Sequence, residues 1–392
     1  MTRTPSRTGG STPLTRITSS FPAAPPASPA RRPRRYATAL AGLAALGLAG
    51  CSLAGGQEES SSGEDASSAS DSGGGEVVLV THDSFNLPDE VVSGFADETG
   101  YTLTVLPSGD AGEMTNTLAL TQGSPLGDAV FGIDNTFASR AVDEGVLAPY
   151  TPKDPPAGVD DRALPGELAD YLTPIDFGDV CVNIDRTWFE REGIEEPASL
   201  ADLTEPEYKG LFVTPGASTS SPGMAFMLAT IAEFGEQGWQ QYWTDLVDND
   251  VRVVSGWEDA YTVDFTAGGG DGDRPIVVSY ASSPPFTIGD DGVPTTKALM
   301  DTCFGQVEYA GVLEGAANEE GAQAAVDYLL SDAVQEALPE SMYVFPVAQD
   351  ATLPKEWESA AQVAEDPLDI PATTIEANRE QWVSQWADIA TG

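Results

Sequence analysis

The run EVVLVTHDSF, residues 76–85, begins as continuous apolar sequence and ends in polar residues. That is the pattern of a buried strand of an open α/β sheet whose tip reaches a ligand crevice. PDEVVSGFADETGY follows, with Val91, Val92 and Phe95 at helical spacing and Gly100 as a stop. TLTVLP then reads as a strand, AGEMTNTLALTQG as a helix, GDAVFGIDN as another apolar strand with a polar end, and TFASRAVDEGVLAPY as a helix. The alternation predicts a mostly parallel sheet covered on both faces. A second series opens at FGDVCVNIDRTWF and includes GLFVTPGAS, the helices SPGMAFMLATIAEFG and GWQQYWTDLVDN, and the strands VRVVSG and PIVVSYASSP. FGQVEYAGVLEGA is extended, EEGAQAAVDYLLSDAVQEALPE supplies two short amphipathic helices, and TIEANREQWVSQWADIA is a last helix with Trp382 and Trp386 on one face. Nothing repeats at a fixed period. Two lobes of α/β type, linked by crossing strands, fit this order.

The first 75 residues stand apart. The basic cluster RRPRR (31–35), the apolar YATALAGLAALGLAG (36–50) and then Cys51 match the three parts of an export signal, and the apolar run is short for a spanning helix. Leu48-Ala49-Gly50-Cys51 resembles a bacterial lipobox, whose cysteine takes a diacylglyceryl group and becomes the new N-terminus. QEESSSGEDASSASDSGGG, residues 57–75, has no apolar periodicity and cannot bury enough surface to fold. The expected order is therefore a signal peptide (1–50), a flexible Ser/Gly/acidic tether (51–75) and a folded remainder anchored by lipid at Cys51.

Charge narrows the partners. The chain of 392 residues has a formal net charge of −44, and all 62 of its acidic residues lie beyond Gly50. Such a surface repels nucleic acid and anionic lipid, and it suits a cationic ligand or simply solubility. The length exceeds one typical core, in keeping with two lobes. Outside the cytoplasm Cys181 and Cys303 can form a disulfide, a buried free pair being the alternative. Their spacing lacks the close pairs of zinc ligands, and no metal or cofactor is expected.

His82, the only histidine, is followed by Asp83 and Ser84. Consecutive strand residues point to opposite faces, so the three cannot form a catalytic triad among themselves, and no GxSxG elbow supplies a serine elsewhere. An enzyme is therefore not expected. The polar strand ends carry a better signal: Asp83 and Ser84 after the first strand, Asp134 and Asn135 after the third, and Asp176 where the chain crosses between lobes. Ser220, Ser221 and Gly223 open a helix whose free N–H groups favour an anion. Each carboxylate has helix capping as an alternative role. Trp257, Tyr261, Tyr280 and Tyr343 lie at strand ends or in irregular segments, where core packing competes with ligand stacking. A flat cation between such rings gains on the order of 1–2 kcal/mol per good contact.

Taken together, VTHDSF, GDAVFGIDN, PIDFG, STSSPG, SGWEDAY, VVSYASSP, SMYVFPVAQDATLP and NREQWVSQW occur in the order and approximate spacing of a known family. From Val77 to Ile389 the chain resembles the substrate-binding lipoproteins of bacterial ABC importers for thiamine. The resemblance implies the two-lobed periplasmic-binding-protein (type II) fold with hinge-crossing strands. It divides the chain into lobe 1 (76–177 and 302–345) and lobe 2 (178–301 and 346–392). It implies a monomer that closes on thiamine or thiamine phosphates and is recognised by an ABC permease with its ATPase. Trp257, Tyr261, Tyr280 and Tyr343 would surround the rings, Asp134 would meet the aminopyrimidine or the thiazolium charge, and Ser220, Ser221 and Gly223 the hydroxyethyl or phosphate end. Cys181 and Cys303 would flank the crossing strands and staple the hinge. Two positions depart from the family: His82 stands where a tyrosine is usual, and Tyr343 where a tryptophan is. Related proteins bind ferric ion or polyamines. Iron commonly takes two neighbouring tyrosinates, where VVSYASSP offers only Tyr280, whereas a polyamine remains an alternative.

Overall fold

The computed structural model describes residues 74–391, which lie within one compact unit, Ser68–Gly392. The signal peptide, Cys51 and the tether as far as residue 73 lie outside the described residues. In the first part of the fold β1 (Glu76–Thr81), β2 (Thr102–Pro107) and β3 (Ala129–Asp134) pair in parallel, in the order β2-β1-β3. Helices α1 (Asp89–Thr99) and α2 (Ala111–Leu120) make the crossovers, and α3 (Ala138–Asp143) and the short β4 (Leu147–Ala148) follow β3. All six residues of β3 are buried, as its unbroken apolar sequence requires of a strand covered on both faces.

The chain then runs through β5 (Thr173–Asp185), α4 (Arg186–Glu192), β6 (Phe212–Pro215), α5 (Ser221–Asp248), β7 (Arg252–Val254) and β8 (Ile276–Tyr280). Strands β8, β6 and β7 are parallel neighbours. Helix α5 is broken at Gly235, whose φ of 69° and ψ of 170° no helix accommodates, so two helices stand where two amphipathic patterns predict them. The return is β9 (Thr296–Leu313), followed by α6 (Glu319–Leu329), α7 (Asp332–Met342), β10 (Phe345–Pro346), α8 (Trp357–Ala360) and α9 (Ala372–Ala390). Helix α9 packs on α5, with the Trp386 ring set edge-on to Trp243 at 5.6 Å.

Two long strands join the halves. β5 and β9 pair antiparallel from Thr173↔Ala310 to Asp185↔Thr296. One end of β9 continues the first half by pairing β3, and the opposite end of β5 continues the second by pairing β8. The centre of the sheet is therefore antiparallel and only its wings are parallel, which qualifies the expectation of a mostly parallel sheet: the chain changes halves through strands, not helices. The pairing slips between Val180↔Phe304 and Val182↔Leu299. Cys181 and Cys303 are bonded to each other at this slip, with Cα atoms 4.1 Å apart.

Candidate functional site

The site forms where strand tips of the first half face the start of α5 and the segment after β7. Just past β1, His82 is buried and its Nε2 lies 3.4 Å from Glu308 Oε1 on β9. Desolvation lowers the imidazole to a pKa of about 4, so at neutral pH an uncharged ring faces this carboxyl group. The sheet register sets Glu308 opposite Asp134 on β3 and opposite Asp176 on β5. Cross-strand partners share a face, so three buried carboxyl groups stand in a row. The Asp176 and Glu308 carboxyl groups interact directly with each other, and the Ser221 hydroxyl with Asp134. Burial raises all three, and the neighbouring Asp176 pushes Glu308 further up. Asp176 and Glu308 therefore retain a proton that isolated acids would lose.

Asp110 is the N-cap of α2, as its place between a strand end and an amphipathic run favours. Its Oδ1 accepts from the N–H groups of Ala111 at 2.7 Å and Ser221 at 3.2 Å, and its Oδ2 accepts from the Trp257 N–H at 2.9 Å. One carboxyl group of the first half is thus shared with two backbone donors of the second. Burial lifts Asp110 to about 6, and these hydrogen bonds oppose the rise.

The aromatic wall centres on Trp257. Its ring stacks on Tyr261 at 5.0 Å and 12°, meets Tyr343 edge-on at 5.6 Å, and lies 6.2 Å from Tyr280. The indole Nε1–H donates to Ser279 Oγ at 3.0 Å, and the Gln306 amide donates to the Tyr280 hydroxyl at 3.0 Å. These bonds fix both rings from behind. Ser84, Ser221, Trp257 and Tyr280 line a small hollow of about 20 Å³, room for about one water. His82, Asp110, Glu308 and Met342 line it as well, and none of these four was singled out as a ligand contact from sequence.

The other sequence candidates are placed differently. Asp134 Oδ1 accepts from Thr136 N–H and hydroxyl and from Phe137 N–H, capping the turn before α3. Asn135 clips β9, its Oδ1 accepting from Val307 N–H and its Nδ2 donating to the Gly305 carbonyl. Ser220 is the N-cap of α5, with Gly223 N–H donating to its Oγ. Gly223 is required by packing, since a Cβ there would fall 2.4 Å from the Gly216 carbonyl oxygen. Asp83 is exposed at the outer lip, beside Glu113, Glu258 and Asp259. Asp176, Tyr261 and Tyr343 support the lining residues from behind or beside and are not themselves part of the lining.

Residues 125–283 match the family model for bacterial extracellular solute-binding protein. The chain is 26% identical over 319 residues to the thiamine-binding periplasmic protein of Salmonella typhimurium, covering 79% of this chain and 92% of that one. Among solved structures it is similar to a periplasmic thiamin binding protein, with a TM-score of 0.70 and 25% identity over 80% of this chain and 96% of the other. The ferric binding protein from Campylobacter jejuni shares the fold at a TM-score of 0.62 and 16% identity, over 80% of this chain and 99% of that one.

Proposed function

We propose that this chain, a relative of the periplasmic thiamine-binding proteins with their two-lobed (type II) fold, is the extracytoplasmic substrate-binding component of an ABC importer for thiamine or its phosphates. The observation that carries the reading is the meeting of the Trp257 ring cluster with the buried carboxyl groups of Glu308 and Asp110 around one hollow. Thiamine is two flat rings, one of them a permanent cation. Ring faces such as Trp257 and Tyr280 hold the rings, and desolvated carboxyl groups answer the charge, each favourable cation–π contact being worth about 1–2 kcal/mol. No lysine or arginine is among the residues lining the hollow, so nothing there opposes a cation. The Ser221 hydroxyl, buried in the lining and within reach of the Asp134 carboxyl group, suits the hydroxyethyl or phosphate end.

Contacts made to both halves exist only when they close, so the guest drives closure. The closed form is then what a permease and its ATPase recognise, and a lipid on Cys51 keeps the protein at the outer face of the membrane. A hydrolase reading has weaker support: His82 turns Nε2 toward Glu308 and its lowered pKa makes it a poor base at neutral pH. The acids in the hollow also suit a polyamine. Calorimetric titration of the purified protein with thiamine, thiamine phosphates, spermidine and ferric citrate separates these readings. Saturable binding of thiamine or its phosphates alone is expected; tighter binding of spermidine, or no heat with any thiamine form, would overturn the proposal.

A further inference from the structure

A second hollow, of about 250 Å³, opens where α3 faces α9. It is lined by Arg140 from the first half and by Arg379 from the second, together with Asn116, Ser218 and Ser384. In a chain with 18 basic residues against 62 acidic ones, two arginines facing one cavity would be expected to find carboxylate partners. Among the described residues neither forms an ion pair. The Nε atoms of both are buried without a hydrogen-bond partner. Arg379 is only 7% exposed, its guanidinium lying flat 4.2 Å over the Phe137 ring, so its position is fixed.

The carboxylates nearest this pair do not neutralise it. Asp134 acts on Arg379 through space but is committed to capping the turn before α3, and Glu380 is exposed at the rim. Burial, and then the like charge of Arg140, lowers Arg379 to about 10, still a full cation at neutral pH. Two guanidinium groups, each with an unpartnered Nε–H, one side-chain amide and two serine hydroxyls line the hollow together with the single carboxylate of Glu380, so the set keeps a net positive charge. Arginine forks match the oxygen spacing of phosphate.

We propose that this hollow is an anion site for a phosphate group, formed only when the two halves meet. An oxyanion there bridges α3 to α9, cancels the repulsion between the two arginines, and so favours the closed arrangement. Coupling of this kind is reciprocal: phosphate tightens the guest in the cleft, and the guest tightens phosphate. The phosphate is either free or the end of a phosphorylated guest, and the two sources give different results below.

The test uses the purified protein with inorganic phosphate as probe, comparing wild type with Arg140→Gln, a half-buried position on a surface helix. Phosphate is expected to raise the melting temperature beyond chloride of equal ionic strength, and to titrate saturably by calorimetry. Arg140→Gln is expected to weaken that binding at least tenfold and, because it removes the repulsion that opposes closure, to leave thiamine affinity in phosphate-free buffer undiminished or tighter. If the site instead takes the phosphate of the guest, inorganic phosphate has no effect, and Arg140→Gln lowers the affinity for thiamine phosphate but not for thiamine. The proposal is overturned if inorganic phosphate does no more than chloride and thiamine phosphate binds both proteins alike, or if phosphate binding survives Arg140→Gln undiminished. Arg379→Lys, which keeps the charge but loses the fork, is expected to show an intermediate loss.

Discussion

Asp176→Asn is expected to stabilise the ligand-free protein and to weaken its hold on a cation. Asp176 has no exposed surface, and its side chain faces the carboxyl group of Glu308. Burial raises its pKa from 3.8 to about 8. The sign follows from the protons held by each state. Below about pH 4 the folded and unfolded chains both keep the proton, and Asp and Asn behave alike. As pH rises further, the unfolded chain loses its proton while the folded chain retains it. Wild type therefore loses up to about 1.4 kcal/mol of stability per pH unit until the folded pKa is reached. Asparagine has no such slope. Its advantage is near zero at about pH 4 and grows as pH rises toward neutrality, by up to about 1.4 kcal/mol per unit and by less where Glu308 shares the proton. Urea denaturation of both proteins without ligand, from about pH 5 to about pH 8, measures the difference directly. A difference that stays constant across this range would mean that Asp176 ionises as an ordinary carboxylate, and the account of the acid row would fail.

The same row gives a second expectation: thiamine binding releases protons near neutral pH, because a cation beside Asp176 and Glu308 drives off the proton they retain. Calorimetry in buffers of different ionisation heat reads that release, and Glu308→Gln should abolish most of it. Trp257→Ala removes the ring on which the wall is built and should weaken thiamine at least tenfold, about 1.4 kcal/mol; unchanged affinity would take Trp257 out of the site. Asp110→Asn sets an amide N–H against one of the two backbone donors of Ser221 and Trp257. The cost is about 1–3 kcal/mol of contact between the halves. Small-angle scattering should show a more open ligand-free protein, and titration a weaker guest.

The elements were largely legible because each is a local pattern: the apolar run of β1, the helical spacing of α1 and the two patterns that meet at Gly235. The antiparallel pairing of β5 with β9 was not, since segments some 120 residues apart leave no periodic trace, and Lys297 and Asp301 break the apolar run in the first part of β9. At the site, polar strand ends pointed to Ser84 and Ser221. The same logic applied to the end of β2 would have found Asp110 in the sequence SGDAG, and a lone acid in the extended FGQVEYAG marks Glu308. Asp134 and Asn135 show the limit of that logic. Residues that cap a turn and residues that bind a ligand occupy the same strand ends, and only the partners of their oxygens tell them apart.

The contact between the halves explains why closure should depend on a guest. Where they meet, like charges are brought together at two places. Asp83 and Glu113 of the first half share the outer lip with Glu258 and Asp259 of the second, and partial desolvation followed by repulsion from neighbouring acids, Asp259 among them, raises Asp83 and Glu258. On the floor of the cleft Glu308, Asp176 and Asp110 all belong to the first half, and burial keeps the first two protonated until a cation arrives. Arg140 faces Arg379 at the back. Against this repulsion stand a few hydrogen bonds, chiefly the two that Asp110 accepts and the one from Glu113 N–H to the Thr219 carbonyl, each worth about 1 kcal/mol net and somewhat more to a charged acceptor. Terms of similar size and opposite sign leave the closed arrangement marginal, and a marginal equilibrium responds most steeply to added binding energy. An anion between the arginines removes one of these repulsions, and a guest that touches both halves supplies binding energy against the other. The acids that make the empty cleft costly to close stand at its lip, and those that answer a cation stand on its floor.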